Sequence, residues 1–229
     1  MISMSIDPHR ILFSDNHLLV VSKLSGELVV KGKGKVGKLP LLDFLKKEYP
    51  GLQTIHRLDF ETSGTVSFAR NKIVAQKIRE SRFTGWQKNY LTLVKGMPKK
   101  KGVIRLPLPT RRNPKSKNSK QIFVEAVTKY SVIESFGDVS LVECEIETGR
   151  HHQIRRHFAM LGHPLVLDEE YGDRKFNRLF VREYGFRKFF LHAKALEFPH
   201  PMTGKKIHIE ALLPKAFEQM LQRLYDAVV

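Results

Sequence analysis

Residues 56–64, HRLDFETSG, combine acidic, basic and hydroxyl side chains in one short segment, with Asp59 near its centre. β-Branched and aromatic residues follow from Thr65 to Phe68, so the segment is predicted to be a loop that leads into a strand. Catalytic groups are commonly presented on loops that a rigid element supports. The same residues also fit a simple turn in which Asp59 and Thr62 hydrogen-bond to their own backbone. The segment by itself leaves both interpretations open.

A second polar cluster, residues 148–158, leads into a predicted helix. Three apolar residues recur at helical spacing and predict a buried stripe: Ile154, Phe158 and Leu161. Arg155 lies beside this stripe rather than opposite it. His152 and His157 are about 140° apart around a helix, whereas zinc-binding helices place their ligands four residues apart. We therefore predict polar histidines that cap the helix, and no metal site.

The composition restricts the classes of protein to which the chain could belong. Its 229 residues, of which 41% are hydrophobic, can form a substantial core. The net charge of +17 predicts a polyanionic partner, with nucleic acid the first candidate. No apolar run is long enough for a membrane span, the first residues lack the core of a signal peptide, and Cys144 has no second cysteine to pair with. These features predict a cytoplasmic protein that does not bind membranes.

Apolar runs between turn-forming residues predict the supporting elements. Strands are expected, in chain order, at residues 11–13, 18–21, 86–94, 122–136, 139–147, 189–193, 196–198 and 207–211. Helices are expected at residues 40–47, from Asn71 to about Arg82, after residue 153 and at 215–227. The alternation at 86–94 predicts a half-buried strand that carries Tyr90, and Cys144 is predicted to be a small buried residue.

Three basic segments interrupt this pattern. Residues 32–38 nearly form a phosphate-binding loop, but Leu39 stands where Ser or Thr is needed, so an RNA-facing loop is the better interpretation. Residues 99–120 contain nine Lys or Arg and no acid, which fits phosphate contacts at least as well as a solvated loop. Residues 173–188 are basic and aromatic, and their rings are expected to pack rather than to stack on bases.

Several short motifs share one order and spacing: HRLD at 56–59, KNY at 88–90, GRHHQIR at 149–155, GHP at 162–164, DEEYG at 168–172 and LHA at 191–193. Together they resemble the RluA-type family of RNA pseudouridine synthases over nearly the whole chain. The resemblance implies an α+β fold, with a long, mainly antiparallel mixed sheet, flanking helices and a central active-site cleft. It implies one catalytic domain over residues 1–229, made of two half-subdomains that share the sheet, with no separate amino-terminal RNA-binding domain.

By the same resemblance, the protein converts a specific uridine of structured RNA to pseudouridine and needs no cofactor. Asp59 is implied to be the catalytic carboxylate, which either attacks the sugar or removes a sugar proton. Tyr90 is implied to stack on the uracil and to help deprotonate C5, and Arg155 to pair with Asp59. An opposite charge in a partly desolvated cleft would keep the carboxylate ionised.

The remaining candidate residues are expected to bind RNA: His56, Arg57, Thr62, Arg150, His152 and Gln153. Arg57 is implied to fill the gap that the flipped base leaves, because a stacked uridine must be extruded before its sugar carbon and C5 are accessible. The basic surface is expected to give salt-sensitive affinity. Residues 155–157 and 172–177 look more like the TruC-type members, which act on tRNA, than the ribosomal enzymes. Action on tRNA in preference to rRNA is therefore expected. The protein is also expected to be a monomer.

Three positions depart from the family pattern, and they concern loop shape rather than chemistry. Leu24 replaces a usual proline, Leu167 a common glycine, and His151 a frequent Thr or Ser. Two other functions compete with the family interpretation. A non-catalytic RNA-binding or RNA-folding module would also explain the charge of +17. A nuclease that depends on His152 fits less well, because no paired acid and base are otherwise indicated.

Overall fold

The computed structural model describes residues 5–32, 39–110 and 121–227. The two predicted RNA-contacting stretches, residues 32–38 and 99–120, lie partly outside the described residues, at 33–38 and 111–120. The chain divides into two compact units. The first unit comprises Met1–Lys88 and Leu191–Lys215, and the second comprises Asn89–Phe190 and Ala216–Val229.

The described residues contain a short 3-10 helix at Pro8–Arg10 and a series of strands and helices. The strands are β1 (Ile11–Ser14), β2 (Leu18–Lys23), β3 (Gln53–Thr54), β4 (Ser63–Ala69), β5 (Gln87–Lys95), β6 (Lys101–Arg105), β7 (Leu108–Pro109), β8 (Phe123–Val124), β9 (Val127–Phe136), β10 (Val139–Ile146), β11 (Leu191–Pro199) and β12 (Lys206–Glu210). The helices are α1 (Leu41–Leu45), α2 (Lys72–Glu80), α3 (Gln153–Met160), α4 (Arg174–Tyr184) and α5 (Lys215–Asp226).

In the first unit, four strands lie in the order β1, β2, β4 and β11, with β3 beside β4 and β12 beside β11. Their pairings are antiparallel except for β4 with β11, which are parallel. The core packs around Trp86, which stacks on Phe198 at 4.4 Å between ring centroids. Helix α2 adds Val74 and Ile78 to this core, and the side chain of Asn71 caps it as predicted.

In the second unit, β5, β10, β9 and β6 are neighbours in that order, and β7 pairs with β8. The predicted hairpin is present, with β9 and β10 joined at a turn through Gly137, which has φ of 66°. Cys144 is fully buried on β10, as expected. The inner side of α5 consists of Phe217, Met220 and Leu224, so the closing amphipathic helix is confirmed.

Two burial predictions are wrong. Strand β5 is buried on both faces rather than half-buried, and its polar Thr92 is satisfied internally because its hydroxyl donates to the carbonyl of Phe190 at 2.7 Å. Leu161 does not extend the buried stripe of α3, since the helix ends at Met160 and Leu161 is 40% exposed. His157 takes the interior position instead and is fully buried.

The fold is α+β with mixed, mainly antiparallel strands, as the resemblance predicts. No helix within the described ranges combines the length and the apolar composition that crossing a bilayer requires.

The parallel pair of β4 and β11 tolerates no side chain at Gly64. This residue has φ of 109°, and a Cβ atom would lie 2.2 Å from the carbonyl oxygen of Ala193. We expect Gly64→Ala to lower the free energy of unfolding by about 3 kcal/mol or more, because both strands must separate. Gly137→Ala is the control, since it also has a positive φ but no atom within 4 Å, and should cost only about 1 kcal/mol. Urea unfolding measures both, and equal losses would contradict the steric argument.

Candidate active site

The HRLD motif lies on the loop between β3 and β4. Arg57 is exposed, Leu58 is buried and Asp59 is half-buried. The backbone N–H of Thr62 donates to the carbonyl of Asp59 at 3.2 Å, so the backbone does form a turn. The Thr62 hydroxyl is buried and has no hydrogen-bond partner among the described residues, so it does not make the side-chain bond that the simple-turn interpretation requires.

The fully buried Lys23, the last residue of β2, is hydrogen-bonded to the backbone of this loop. The Nζ atom of Lys23 donates to the carbonyls of Leu24, Phe60 and Thr62 at 2.9, 3.0 and 2.6 Å. Burial lowers the pKa of Lys23 to about 8, although the carboxylates of Glu27 and Asp59 act in the opposite direction. The lysine therefore fixes the carbonyls on both sides of Glu61 and lies within electrostatic range of Asp59.

Leu24 stands where the family usually has a proline, in a neighbouring turn that hydrogen bonds hold in place. The N–H of Leu24 donates to Glu27 Oε2 at 2.9 Å, and Arg10 binds both carboxylate oxygens of Glu27 at 3.1 and 2.5 Å. The N–H of Gly26 donates to the carbonyl of Phe60 at 2.8 Å, which links this turn to the loop of Asp59. Hydrogen bonds thus supply the order that a proline would give.

His56 anchors the other end of the loop. Its Nε2 atom accepts from the backbone N–H of Ser67 at 3.1 Å, which places the proton of the neutral ring on Nδ1. Burial, reinforced by the charge of Lys88, lowers the pKa of His56 to about 3. The ring is therefore neutral at physiological pH and is tied to β4.

A buried hydrogen bond also joins β4 to β11. His192 Nε2 lies 3.1 Å from the carbonyl of Ala211, which can only accept, so His192 Nδ1 accepts from the hydroxyl of Ser63 at 2.9 Å. Burial lowers the pKa of His192 and favours this neutral form. Strand β4, which follows the loop of Asp59, is thus held by β11 as well as by β2.

In the second unit, Arg155 is buried and forms a two-point ion pair with Asp168. Its Nε and a terminal nitrogen lie 2.6 and 2.8 Å from the two carboxylate oxygens. Burial raises the pKa of Asp168, but hydrogen bonds from Arg155 and from the backbone of Tyr171 and Glu170 lower it by more, so the carboxylate is charged. The Arg155 guanidinium also lies over the rings of Tyr171 and Phe189. The predicted pairing of Arg155 with Asp59 stays a prediction.

Gln153 is the polar centre of the GRHHQIR motif. Its Oε1 accepts from the Thr148 hydroxyl and the N–H of Arg150, and its Nε2 donates to the Val127 carbonyl at 2.9 Å and to the Thr128 hydroxyl at 3.2 Å. These bonds use both ends of the buried amide, which indicates a structural task. The exposed Arg150 is thereby fixed at its backbone, and its Nε donates to a carbonyl at 3.2 Å.

The prediction that the histidines cap α3 is wrong. His152 occupies the cap position in a left-handed conformation, with φ of 52°, but its side chain makes no capping bond. Its Nδ1 lies 3.1 Å from the Tyr171 hydroxyl, and its ring stacks on His151. His157 bonds instead to Thr128 and to a backbone carbonyl. Over the described part of the chain, no three His, Cys, Asp or Glu side chains group as metal ligands.

Leu167 stands where the family commonly has glycine, and its backbone has the left-handed conformation that favours glycine. It has φ of 66°, which is rare for a leucine, and its side chain is buried. The side chain of Asn177 on α4 holds this turn by accepting from the N–H of Leu167 at 2.9 Å and donating to the carbonyl of Asp168 at 3.0 Å. These two hydrogen bonds fix the turn with leucine at this position.

Sequence reasoning gave no role of their own to Lys23 and Asp168. Asp168 directly follows the run of buried apolar residues at 165–167, and Lys23 follows the run at 18–21 after one intervening serine. A charge at the end of such a run is the signal that identifies a buried ionic anchor, because uncompensated charges are excluded from protein interiors.

A family model described as RNA pseudouridylate synthase matches residues 17–160. The chain is 36% identical over 225 residues to ribosomal large subunit pseudouridine synthase C of Escherichia coli (strain K12), covering 95% of this chain and 70% of that protein. The chain belongs to the RNA pseudouridylate synthase family. It is thus an RNA pseudouridine synthase, an isomerase, and the predicted RluA-type resemblance is confirmed.

Further relatives agree with this assignment. The protein of the same name from Vibrio cholerae serotype O1 is 34% identical over 229 residues, which cover 96% of this chain and 70% of that protein. Human RNA pseudouridylate synthase domain containing 4 superposes with a TM-score of 0.75 at 26% identity, covering 94% of this chain and 92% of that chain. Human RNA pseudouridylate synthase domain containing 1 gives 0.67 at 25% identity, covering 96% and 97%. The expected preference for tRNA finds no support among the relatives named here.

The left-handed conformation of Leu167 predicts an inverted order of stability in a pair of variants. Leu167→Gly and Leu167→Ala both remove most of the buried leucine side chain, but only glycine adopts a positive φ without strain. We expect Leu167→Gly to unfold at the higher urea concentration, by up to about 1 kcal/mol in free energy. An alanine variant that is the more stable of the two, as in ordinary backbone conformations, would contradict this.

The buried ammonium of Lys23 predicts a positional effect on catalysis. Lys23→Met leaves the carbonyls around Asp59 without their donor, so we expect kcat to fall by about tenfold or more with RNA affinity retained. The exposed Lys46→Met is the control and should leave kcat unchanged. Tritium release from RNA that contains C5-labelled uridine measures kcat.

The same lysine predicts a pH dependence of stability. Its pKa in the folded protein, about 8, lies below its ordinary value of 10.5, so unfolding takes up a proton between these two pH values. Stability therefore rises as the pH increases through this window, by roughly 3 kcal/mol. The rise should be missing from Lys23→Met in urea unfolding at a series of pH values. A parallel rise in the variant would assign the effect to other groups.

Proposed function

We propose that this enzyme isomerises a specific uridine of large-subunit ribosomal RNA. The observation that carries the target is the likeness, over 95% of the chain, to a relative that is named for the large ribosomal subunit. The TruC-like features cover only short segments, so they weigh less than a likeness that extends over most of the sequence.

Asp59 is the catalytic carboxylate in this proposal. Either it attacks the sugar and the uracil leaves as the bond between base and sugar breaks, or it removes a sugar proton as that bond breaks. The uracil then turns and its C5 bonds to the sugar, while the bond to Asp59 breaks or the sugar proton is returned, and C5 loses its own proton. The position of Asp59 supports this role, because it is half-buried on a loop whose backbone Lys23 holds at two carbonyls, those of Phe60 and Thr62. A carboxylate held in place before the substrate binds needs little reorganisation in the reaction.

The target base must leave the RNA stack before this chemistry can occur. We assign Arg57 to the gap that remains in the RNA, and its exposed side chain on the catalytic loop supports the assignment. Tyr90 is assigned to stacking on the extruded uracil and to the removal of the C5 proton. Arg155 is assigned to pairing with Asp59, which keeps that carboxylate ionised. Its two-point ion pair with Asp168 supports this role, because it fixes the orientation of the guanidinium.

The remaining predicted residues divide into two groups. His56 and Gln153 are assigned to positioning, because protein groups bind Nε2 of His56 and both ends of the Gln153 amide. Thr62 is assigned to the substrate, since its hydroxyl lacks a partner among the described residues. Arg150 and His152 stay assigned to RNA contacts. A cytoplasmic monomer with a single catalytic domain and no cofactor remains our prediction.

Asp59→Asn should abolish pseudouridine formation and leave RNA binding largely intact, because the amide keeps the size of the side chain but loses its nucleophilic and basic character. Asp43→Asn, a carboxyl in the first turn of α1, is the control and should retain activity. The measurement is sequencing-based pseudouridine mapping of rRNA and tRNA from a deletion strain that expresses each protein.

Loss of one pseudouridine in rRNA, restored by wild type and not by Asp59→Asn, is the expected result. A site restored only in tRNA would overturn the ribosomal target. Full restoration by Asp59→Asn would favour the second candidate function, an RNA-folding module, for which the charge of +17 is the supporting observation.

A further inference from the structure

The outer face of helix α4 carries four positive charges: Arg174, Lys175, Arg178 and Arg182. All four side chains are exposed, and none has an ion pair or a hydrogen-bond acceptor among the described residues. By contrast, the exposed Lys206 is paired with Glu197 at 2.6 Å. The cations of α4 are therefore a concentrated charge without a counterpart in the described chain.

The helical arrangement collects these charges on one side. At about 100° per residue, the four cations fall within an arc of about 100°. Phe176, Phe180 and Tyr184 lie on the opposite side, where their rings contact one another. The helix thus has an apolar side that packs and a basic side that faces solvent.

This charge pattern works against the stability of the helix. Arg174 and Lys175 are its first two residues, where the helix dipole disfavours cations, and no acid stands in the first turn. Arg178 follows Arg174 by four residues, and Arg182 follows Arg178 by four, so like charges are neighbours on the surface. An external polyanion would offset both unfavourable effects. A surface that served only solubility would not require like charges in this arrangement.

The helix is also rigidly held. Asp173 caps it by accepting from the N–H groups of Lys175 and Phe176, and it forms a salt bridge to Lys95 at 2.6 Å. Asn177 on the same helix holds the turn that carries Asp168, the partner of Arg155. The basic face of α4 therefore has a fixed position relative to the Arg155 and Asp168 ion pair.

We propose that this basic face of α4 binds the sugar-phosphate backbone of the substrate RNA outside the target nucleotide. The proposal deepens the proposed function and rests on it for the identity of the RNA. Three arginines that follow one another by four residues rise about 6 Å per step, which places a row of cations along one strand of backbone. Such contacts set affinity and register without reading bases.

The test removes three charges from α4 and three from α2 as a matched control. The α4 variant is Arg174→Gln/Arg178→Gln/Arg182→Gln, and the control is Lys72→Gln/Lys77→Gln/Arg79→Gln. The control residues are likewise exposed on a helix and form no ion pair among the described residues. The probe is a large-subunit rRNA transcript with tritium at C5 of uridine, used for filter binding at several salt concentrations and for tritium release.

We expect the α4 variant to bind the transcript about tenfold or more weakly near 0.1 M salt, and its logarithmic salt dependence to flatten by about 2 to 3. The loss should appear in KM rather than in kcat. The control should change affinity by less than about threefold. The melting temperature of the α4 variant should not fall, because unfavourable charge contacts are removed from the helix.

Equal weakening by the two triple variants would overturn the proposal in favour of diffuse electrostatic attraction, and unchanged binding by the α4 variant would overturn it outright. If wild-type protein binds the transcript but forms no pseudouridine in it, the ribosomal target fails while the binding comparison still decides the role of α4. The two failures are thus distinguishable.

Discussion

A single buried ammonium determines where the loop of Asp59 can lie. Moving the Lys23 charge out of water is costly, and it is tolerated because three carbonyls and two nearby carboxylates surround it. Two of those carbonyls belong to the loop of Asp59, so the lysine and the loop each require the other. The backbone around Asp59 is held by this mutual requirement rather than by apolar packing alone, since only Leu58 of the HRLD motif is buried.

The second unit uses the opposite charge for the same purpose. Asp168 is a buried carboxylate that two backbone N–H groups and the guanidinium of Arg155 satisfy. Because an ion pair of this kind is costly when either partner is lost, it orients Arg155 more strictly than a surface salt bridge could. Asn177 then connects the turn to α4. Each unit thus contains one internal charge that fixes the geometry of a proposed catalytic residue.

Most of the architecture could be predicted because it follows from local periodicity. The strands at Leu18 and Ser63, the cap at Asn71 and the closing helix all have patterns that a short window of sequence contains. Burial on the second face of β5 could not be predicted, because Thr92 is polar and its acceptor, the Phe190 carbonyl, is 98 residues away. The place of Lys23 after an apolar run is visible in the sequence, but its carbonyl partners on the loop lie 37 and 39 residues further along the chain, so these partners could not be predicted.

The pairing of β4 with β11 has a consequence for folding during synthesis. Ser63 and His192 are 129 residues apart, and nearly all of the second unit is encoded between them. At ribosomal elongation rates the chain spends roughly 6 to 25 seconds with the β11 edge of β4 uncovered. Exposed strand edges template pairing with other chains, so chaperone protection of this edge on the ribosome is most valuable in that interval. The second unit, apart from its final helix, is a continuous stretch that is complete when β11 emerges.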